Sequence, residues 1–349
     1  MVDARRLLIG AASAAVAAGG ALATGRAAVR RARRRDDPAA DEDFEELADL
    51  RPPVAHLHAV GRDGSDLHLL VAGAGRPVVL LHGVTLRAGA WRYQFALADR
   101  CRVLAADLRG HGRSRAGRAG YGLDPLADDL ADVMVSLDLR GAVLVGHSMG
   151  GMAIMRFAHR HPDVLADRVA GLVLVSTSSD PVLGLGTASS LRGVAAAVQA
   201  PLARVGWKRV PTYRPSDSDL HFGLVRLSFG DTVAPHLVEV TRRMVAAMDA
   251  EALNRSFLGL LANDEHAHLH AIGVPTLVVV GSRDLLTPPR AARRIAAAIP
   301  GAELHVIAGA GHQLMMERPD ELNALLAGLL DRLDDGPGRV VGGDALARR

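Results

Sequence analysis

From residue 54 to residue 333 the sequence alternates short apolar runs with amphipathic segments. The apolar runs end in glycine or a polar residue, which is typical of buried parallel strands covered by helices. The alternation therefore predicts an α/β fold, a mostly parallel sheet of about eight strands with helices on both faces. The predicted strands are HLHAVGRDGSDLHLLVAG, as a hairpin that turns at Asp63-Gly64, then PVVLLHG, CRVLAADLRG, AVLVGHS, VAGLVLVS, PTLVVVGS and AELHVIAG.

One segment, residues 180–267, breaks this alternation, because it shows helical patterns and prolines but no strand pattern. A helical insertion between strands would lie over one end of the sheet as a lid. Its apolar side chains would then line an apolar pocket, and otherwise they pack the core of the lid itself. These side chains are Leu183, Leu185, Val194, Leu202, Trp207, Phe222, Phe229, Met244, Met248 and Phe257.

The positive charge of the chain is concentrated at its amino terminus. Residues 1–35 hold eight arginines and one aspartate, a charge of +7, so the other residues carry 3 − 7 = −4 of the net +3. This mildly acidic body argues against nucleic-acid binding by the folded part. The single cysteine, Cys101, excludes an intramolecular disulfide and a cysteine-based zinc site. A hydrophobic content of 49% is enough for a large core.

Residues 7–25 form an uncharged stretch that as a helix would span roughly 28 Å, close to the thickness of a bilayer core. Arg5-Arg6 before this stretch and Ala21-Leu22-Ala23 within it are typical of a twin-arginine export signal with a cleavage site. The six arginines of RAAVRRARRR directly after it instead favour an uncleaved membrane anchor that keeps the folded domain in the cytoplasm. A flexible basic tail is the third interpretation. We favour the anchor, because its following charges outweigh the preceding ones.

These segments give a predicted domain organisation. The acidic, proline-bounded stretch that follows the arginines reads as a linker, and the last residues are rich in glycine and charge, which favours disorder. The predicted parts are the amino-terminal segment 1–35, the linker 36–53, the α/β core 54–179 and 268–333, the lid 180–267 and a disordered tail 334–349.

The predicted strand AVLVGHS runs into Gly146-His147-Ser148-Met149-Gly150 and then into a helical pattern. This is the G-x-S-x-G pattern, in which a sharp turn from strand to helix exposes a serine at the edge of the sheet. Side chains at Gly146 and Gly150 would collide where strand and helix pack around the turn. A serine nucleophile also needs a base, an acid that orients the base, and donors for an oxyanion. The alternative is a buried serine with no chemical role.

With this motif, residues 54–333 resemble the α/β-hydrolase superfamily, in particular its esterase-like and lipase-like serine hydrolases and its cofactor-free haloperoxidases. The resemblance implies the α/β-hydrolase fold with a helical lid. The stretch LLHGVTLRAGAWRYQ, residues 80–94, looks like the family's oxyanion loop. The family pattern therefore implies that the backbone N–H groups of Val84 and Met149 point at the oxyanion.

A second stretch, DLRGHGRS at residues 107–114, is similar to the family's loop after the fourth strand. It contains Asp107, Arg109 and His111, three side chains that could take part in chemistry. We expect them to fix the loop by hydrogen bonds rather than to catalyse.

Asp284 and His312 are the predicted acid and base, because the acid and the histidine follow the serine in that order in this fold. Asp284, in PTLVVVGSRDLLTPP, comes just after a buried strand and so lies at the same edge of the sheet as Ser148. His312, in AELHVIAGAGHQLMMERPDELN, follows the last predicted strand. Both also match the family's positions. His312 would accept the Ser148 proton, and Asp284 would hold the tautomer of the imidazole and stabilise its charged form.

Other roles are open for some of these residues. Asp284 could serve only as a cap of the helix that begins near Thr287, and Asp180, after the sixth predicted strand, is a rival acid. His266 and His270 would share one face of a helix and could ligate zinc, but no companion carboxylate or cysteine cluster is evident. We expect a solvated helix end there, and no metal or cofactor.

The predicted function is hydrolysis of a small carboxylic ester, with an apolar acyl group, through an acyl-enzyme at Ser148. A serine in place of an aspartate argues against dehalogenase and epoxide-hydrolase chemistry. Three alternatives use the same residues: a cofactor-free haloperoxidase or perhydrolase, an acyltransferase, and a ligand-binding receptor with a nearly inactive site. Products formed with peroxide or with an added alcohol, and turnover of short p-nitrophenyl esters, distinguish these alternatives.

Overall fold

The computed structural model describes residues 47, 50, 52–181 and 219–335. Among these residues, no helix is both long enough and apolar enough to cross a membrane. The predictions that fall outside the described residues are the segment 1–35 with its apolar stretch 7–25, most of the linker 36–53, the part of the lid from 182 to 218 with Leu183, Leu185, Val194, Leu202 and Trp207, and the tail from 336 onward.

In the described part of the chain, one sheet of eight strands has the order β1-β2-β4-β3-β5-β6-β7-β8. Strand β2 pairs antiparallel with β1 and β4, and all the other neighbours are parallel. The mostly parallel sheet and its strand number confirm the predicted fold. The strands are β1 (Ala55–Val60), β2 (Asp66–Ala72), β3 (Pro77–Leu81), β4 (Arg102–Ala106), β5 (Ala142–His147), β6 (Val169–Val175), β7 (Thr276–Gly281) and β8 (Glu303–Ile307).

Helices connect these strands, as parallel pairing requires. The α-helices are α1 (Leu123–Ser136), α2 (Met149–Arg160), α3 (Pro162–Arg168), α4 (Asp219–Arg226), α5 (Pro235–Ala247), α6 (Ala250–Leu261), α7 (Pro289–Ala298), α8 (Leu314–Glu317) and α9 (Pro319–Asp335). Within the described ranges, two 3₁₀ segments cover Ala88–Asp99 and His266–Ala271.

The sheet has an apolar core on each face, because successive strand residues point to opposite sides. Leu144 in the middle of β5 packs into the core that also contains side chains of α1 and α2. Its neighbours Val143 and Val145 pack into the other core, with Trp91 of the first 3₁₀ segment and leucines of α9. Helices therefore cover both faces, as predicted.

The boundaries of two helices add detail to the predicted segments. Helix α1 begins at Leu123, directly after Gly122. Gly122 has φ of +129°, a conformation that favours glycine, so backbone geometry rather than a capping side chain sets the boundary. Helix α9 continues to Asp335, two residues into the predicted tail.

Helices α4, α5 and α6 belong to the predicted lid. Helix α6 lies against the loop that follows β4: a methyl group placed on Gly110 would come within 3.0 Å of Ala252 Cβ, and the Arg255 guanidinium lies 4.9 Å from the centroid of the Tyr121 ring. This loop leaves the carboxyl end of a parallel strand, where ligands of open α/β sheets bind. The role of the segment as a lid remains a prediction.

Candidate functional site

Ser148 is the only residue between β5 and α2. Its φ of +50° and ψ of −114° lie outside the regions that residues with a side chain normally adopt. Such a conformation costs of the order of 1–3 kcal/mol and persists where the surroundings enforce it. The Ser148 N–H donates a hydrogen bond to Val175 O at the end of β6, with an N···O distance of 3.0 Å. The strand-to-helix turn predicted from the G-x-S-x-G pattern is therefore present.

The two glycines of the pattern are sites of close backbone approach. A Cβ on Gly146 would lie 2.5 Å from the Gly151 nitrogen. A Cβ on Gly150 would lie 2.2 Å from the carbonyl oxygen of Leu81, where β3 ends. Both distances are shorter than any van der Waals contact. The glycines are needed for the steric reason inferred from the sequence.

His312 and Asp284 are brought together in a buried contact. The distance from His312 Nδ1 is 3.1 Å to Asp284 Oδ1 and 3.0 Å to Oδ2. Their side chains are 6% and 0% exposed, so little water competes for the carboxylate. Asp180, the rival acid, instead pairs with Arg294 and accepts a hydrogen bond from Ser179.

Asp284 also organises the turn after β7. Its Oδ1 accepts hydrogen bonds from the backbone N–H groups of Leu286 and Thr287, each at 2.9 Å, and its Oδ2 accepts one from the Thr287 hydroxyl at 2.8 Å. Burial opposes ionisation, but the charge of His312 and these hydrogen bonds outweigh it and lower the pKa of Asp284. The carboxylate is therefore both a local cap and the partner of His312, two roles that the sequence presented as alternatives.

The Asp284 contact determines the tautomer of His312. A carboxylate only accepts hydrogen bonds, so Nδ1 carries the proton and Nε2 of a neutral ring is free to accept one. Among the described residues, no hydrogen bond joins Nε2 to the Ser148 hydroxyl. Such contacts are often long in unliganded enzymes and shorten when substrate is bound.

His147, next to the serine, connects the turn to the His312 loop. Its Nε2 donates a hydrogen bond to the carbonyl oxygen of His312 at 2.9 Å, and the two ring centroids are 4.7 Å apart. Burial, followed by the nearby His312 charge, holds the pKa of His147 well below its ordinary value. His147 is therefore neutral and already engaged, so it is a poor candidate for the base.

The predicted oxyanion donors, Val84 and Met149, lie on the two segments that meet at Ser148. A Cβ on Gly83, next to Val84, would come within 3.1 Å of Ser148 Cβ. Met149 is the first residue of α2, where N–H groups lack intrahelical partners and the helix dipole favours negative charge. Neither N–H donates a hydrogen bond to another described residue.

The loop after β4 is fixed by its three chemistry-bearing side chains. Asp107 accepts hydrogen bonds from the N–H of Ala88 at 2.7 Å and contacts the buried His68 at 2.8 Å. Arg109 forms two hydrogen bonds of 2.6 Å with Asp129. His111 donates through Nδ1 to the carbonyl oxygen of Arg109, at 3.0 Å. These contacts agree with the expectation that the three residues hold the loop.

The two histidines considered as zinc ligands are not on one face. They lie in a 3₁₀ segment, where residues repeat every three positions rather than every 3.6. His266 Nδ1 contacts Ser179 Oγ at 3.2 Å, and His270 Nδ1 donates to the carbonyl oxygen of Ala267 at 2.9 Å. In the described part of the chain, no three side chains of the metal-ligating types are placed to hold an ion.

Three contacts of the candidate base and its loop were not foreseen from the sequence. The Thr287 hydroxyl lies 3.2 Å from His312 Nδ1. The His312 N–H donates to the carbonyl oxygen of Ser228 at 2.8 Å, and Glu317 accepts from the N–H of Gly311. Only Thr287 had a local signal, because it follows Asp284 by one turn. The contact with Ser228 joins distant segments through backbone atoms, and the carboxylate of Glu317 binds a backbone N–H group, so neither contact follows from a sequence pattern.

Comparison with known proteins places this architecture in a family. Residues 76–319 match the family described as alpha/beta hydrolase fold. A non-heme chloroperoxidase of Kitasatospora aureofaciens is 33% identical over 263 residues, which are 74% of this chain and 93% of that protein. A thermophilic esterase of Thermogutta terrifontis has a similar structure, with a TM-score of 0.62 and 29% identity over 80% of this chain and 99% of the esterase.

A solved N-acyl homoserine lactone degrading enzyme is similar as well, with a TM-score of 0.62 and 30% identity over 78% of this chain and 99% of that chain. The family match covers every residue from β3 to the start of α9. The observed strand order, the turn at Ser148 and these matches agree, and the chain belongs to the α/β-hydrolase superfamily.

Proposed function

We propose that the protein is a serine hydrolase that cleaves carboxylic esters through an acyl-enzyme at Ser148. The buried contact between His312 Nδ1 and Asp284, next to the strained turn that carries the serine, is the observation that supports this most. Esterase and lactone-degrading activities among the similar proteins support the same reaction class.

In the proposed reaction, Ser148 Oγ attacks the ester carbonyl carbon while His312 Nε2 takes the hydroxyl proton. The negative charge that develops on the carbonyl oxygen is stabilised by the N–H groups of Val84 and Met149. His312 then returns the proton to the leaving alcohol, and the acyl group stays on the serine. Water, deprotonated by His312, attacks the acyl-enzyme, so that the carboxylic acid leaves and Ser148 regains its proton. Asp284 keeps Nδ1 protonated and stabilises the imidazolium.

We further propose an apolar acyl group as substrate. Phe222, Phe229, Met244 and Met248 of the segment 219–267 are all buried, and apolar side chains dominate the walls of small-molecule pockets. A panel of p-nitrophenyl esters with increasing acyl length tests this. We expect kcat/KM to rise from acetate to medium chain lengths in the natural protein and to be lost at every length in Ser148→Ala. A steady fall from acetate onward contradicts the apolar pocket.

The second candidate is cofactor-free perhydrolysis, which the 33% identity to a non-heme chloroperoxidase favours. Hydrogen peroxide would replace water in the attack on the acetyl-enzyme and yield a peracid, which oxidises bromide. Bromination in acetate and hydrogen peroxide, compared with ester hydrolysis under the same conditions, separates the two candidates. Bromination that exceeds hydrolysis and disappears in Ser148→Ala favours perhydrolysis.

Attachment to a membrane through residues 7–25, with the hydrolase domain in the cytoplasm, is a proposal that only the sequence supports. The arginines after this stretch are its basis. Protease treatment of intact cells should leave the domain uncleaved. A mature chain that begins at Thr24 contradicts the anchor and favours the export signal.

A further inference from the structure

The loop that carries His312 is built together with the segment that joins α4 to α5. His312 N–H donates to Ser228 O at 2.8 Å, and Asp231 N–H donates to Gly309 O at 2.8 Å. The approach is so close that a Cβ on Gly230 would lie 2.0 Å from Gly309 O. Backbone hydrogen bonds therefore tie the loop of the candidate base to a segment distant from it in the sequence.

Glu317, at the end of α8, bonds to both sides of this junction. Its Oε2 accepts hydrogen bonds from the N–H of Gly230 at 2.6 Å and from the N–H of Gly311 at 3.0 Å. Glu317 is 8% exposed, and its burial raises the pKa above the ordinary value although the backbone N–H groups favour the ionised form. Burying a carboxylate such as that of Glu317 costs free energy, and an apolar side chain could fill the same volume without this cost.

The two N–H groups belong to the backbone segments that hold the base in place. Gly311 precedes His312, and Gly230 lies two residues after Ser228, whose carbonyl oxygen holds the His312 N–H. Without an acceptor at position 317, two buried N–H groups lose their partner, at a cost of about 1–3 kcal/mol each unless the loops move to find water. Any such movement displaces the imidazole, and a misplacement of about 1 Å can reduce a rate about 100-fold.

We propose that Glu317 is a positioning residue for the reaction proposed above, because its carboxylate locks the His312 loop to the segment 228–231 and so aims the imidazole at Ser148. The inference depends on the proposed function, since it assigns His312 the role of base. It also makes the segment between α4 and α5 part of the catalytic support rather than only a wall of the pocket.

The test compares three variants in the full chain. Glu317→Leu removes both acceptor oxygens, Glu317→Gln keeps one carbonyl oxygen at the same reach, and Asn263→Leu is the matched control. Asn263 is fully buried, and its Nδ2 donates to the backbone oxygens of Ser178 and Asp180 at 2.8 and 3.1 Å, at a place with no contact to His312.

With a p-nitrophenyl ester, we expect kcat of Glu317→Leu to fall about 100-fold while KM changes less than about twofold. Glu317→Gln should recover most of this loss. Asn263→Leu should lower the urea midpoint about as much as Glu317→Leu does, but without lowering kcat. If Glu317→Leu does not fold, Glu317→Asp takes its place, because its shorter side chain cannot reach both N–H groups and should also lower kcat selectively.

A folded Glu317→Leu, or Glu317→Asp, with kcat equal to that of the natural protein overturns the positioning role. So does a kcat loss of the same size in Asn263→Leu, because the effect would then follow stability alone. Ser148→Ala in the same assay separates the two proposals. Full turnover by Ser148→Ala contradicts the proposed function itself, whereas its inactivity beside a fully active Glu317→Leu contradicts only the role of Glu317.

Discussion

His312 Nδ1 lies 3.0 Å from Asp284 Oδ2, in a contact that joins the loops after β8 and β7 and is closed to solvent. The reaction proposed for Ser148 requires Asp284 to accept a hydrogen bond from the Nδ1–H group of His312, which keeps the proton on Nδ1. In Asp284→Asn the amide can present an N–H to Nδ1 and so favours the wrong tautomer, which lowers kcat by about 10⁴. The initial rate of ester hydrolysis at saturating substrate measures this loss.

The rival acid provides the control. Asp180→Asn removes a carboxylate that pairs with Arg294 and Ser179, so we expect its kcat to stay within about twofold of the natural value, as is usual for a substitution away from the reacting groups. A large loss in Asp180→Asn with little loss in Asp284→Asn would falsify the assignment of the acid.

The strained backbone of Ser148 should affect the free energy of unfolding of variants at this position. A residue with a Cβ at φ of +50° and ψ of −114° costs of the order of 1–3 kcal/mol, whereas glycine tolerates positive φ. Although glycine loses more entropy on folding, we expect Ser148→Gly to be more stable than Ser148→Ala by about 1 kcal/mol. Urea midpoints at unchanged m value measure the difference.

Ser178 supplies the comparison for this prediction, because it is not among the residues with positive φ. There the order should reverse, with Ser178→Gly less stable than Ser178→Ala by about 0.4–1 kcal/mol. If Ser148→Gly is also less stable than Ser148→Ala, the turn at Ser148 stores no strain of this size.

His111 makes the stability of the fold depend on pH. Burial, with the neighbouring charge of His82, lowers its pKa to about 3, while the unfolded chain binds this proton near pH 6.5. Between pH 7 and pH 5 the unfolded state therefore gains a proton that the folded state does not, and the free energy of unfolding falls by about 2 kcal/mol for this one group.

His111→Asn tests this pH dependence, because its amide can still donate to the Arg109 carbonyl but does not titrate. Urea unfolding at pH 7 and pH 5 should give a stability loss about 2 kcal/mol smaller in the variant than in the natural protein. Equal losses in the two proteins would mean that His111 binds its proton in the folded state as well.

Much of the fold was predictable because its signals are local. Each buried strand is a short apolar run, and β5 ends at a motif whose glycines permit only one kind of turn. The order of strands β4 and β3 in the sheet was not predicted from the residues. Pairing joins segments distant in the chain, and an apolar run does not indicate which other strand it will pair with.

In the candidate site, too, the features with local sequence signals were predictable and the long-range contacts were not. Asp284 and His312 could be placed at the carboxyl edge of the sheet because each follows a predicted strand, and the structure brings them into contact. The support of the base could not be predicted, since Ser228 contributes a backbone oxygen from a distant segment and the carboxylate of Glu317 binds backbone N–H groups, which leave no sequence pattern. The sequence presents a cap and a partner of His312 as alternatives for Asp284, whereas the structure shows that one carboxylate makes both sets of contacts.

The reactivity of Ser148 tests the central claim most directly. The natural protein should be labelled by a fluorophosphonate and should hydrolyse a p-nitrophenyl ester, and Ser148→Ala should lose the label and about 10⁶-fold in kcat. Ser176→Ala is the matched control, because Ser176 is also buried with φ of +44° at the end of the neighbouring strand β6. We expect Ser176→Ala to keep label and activity. Labelling and turnover that survive in Ser148→Ala, or disappear in Ser176→Ala alone, would contradict the assignment of Ser148 as nucleophile.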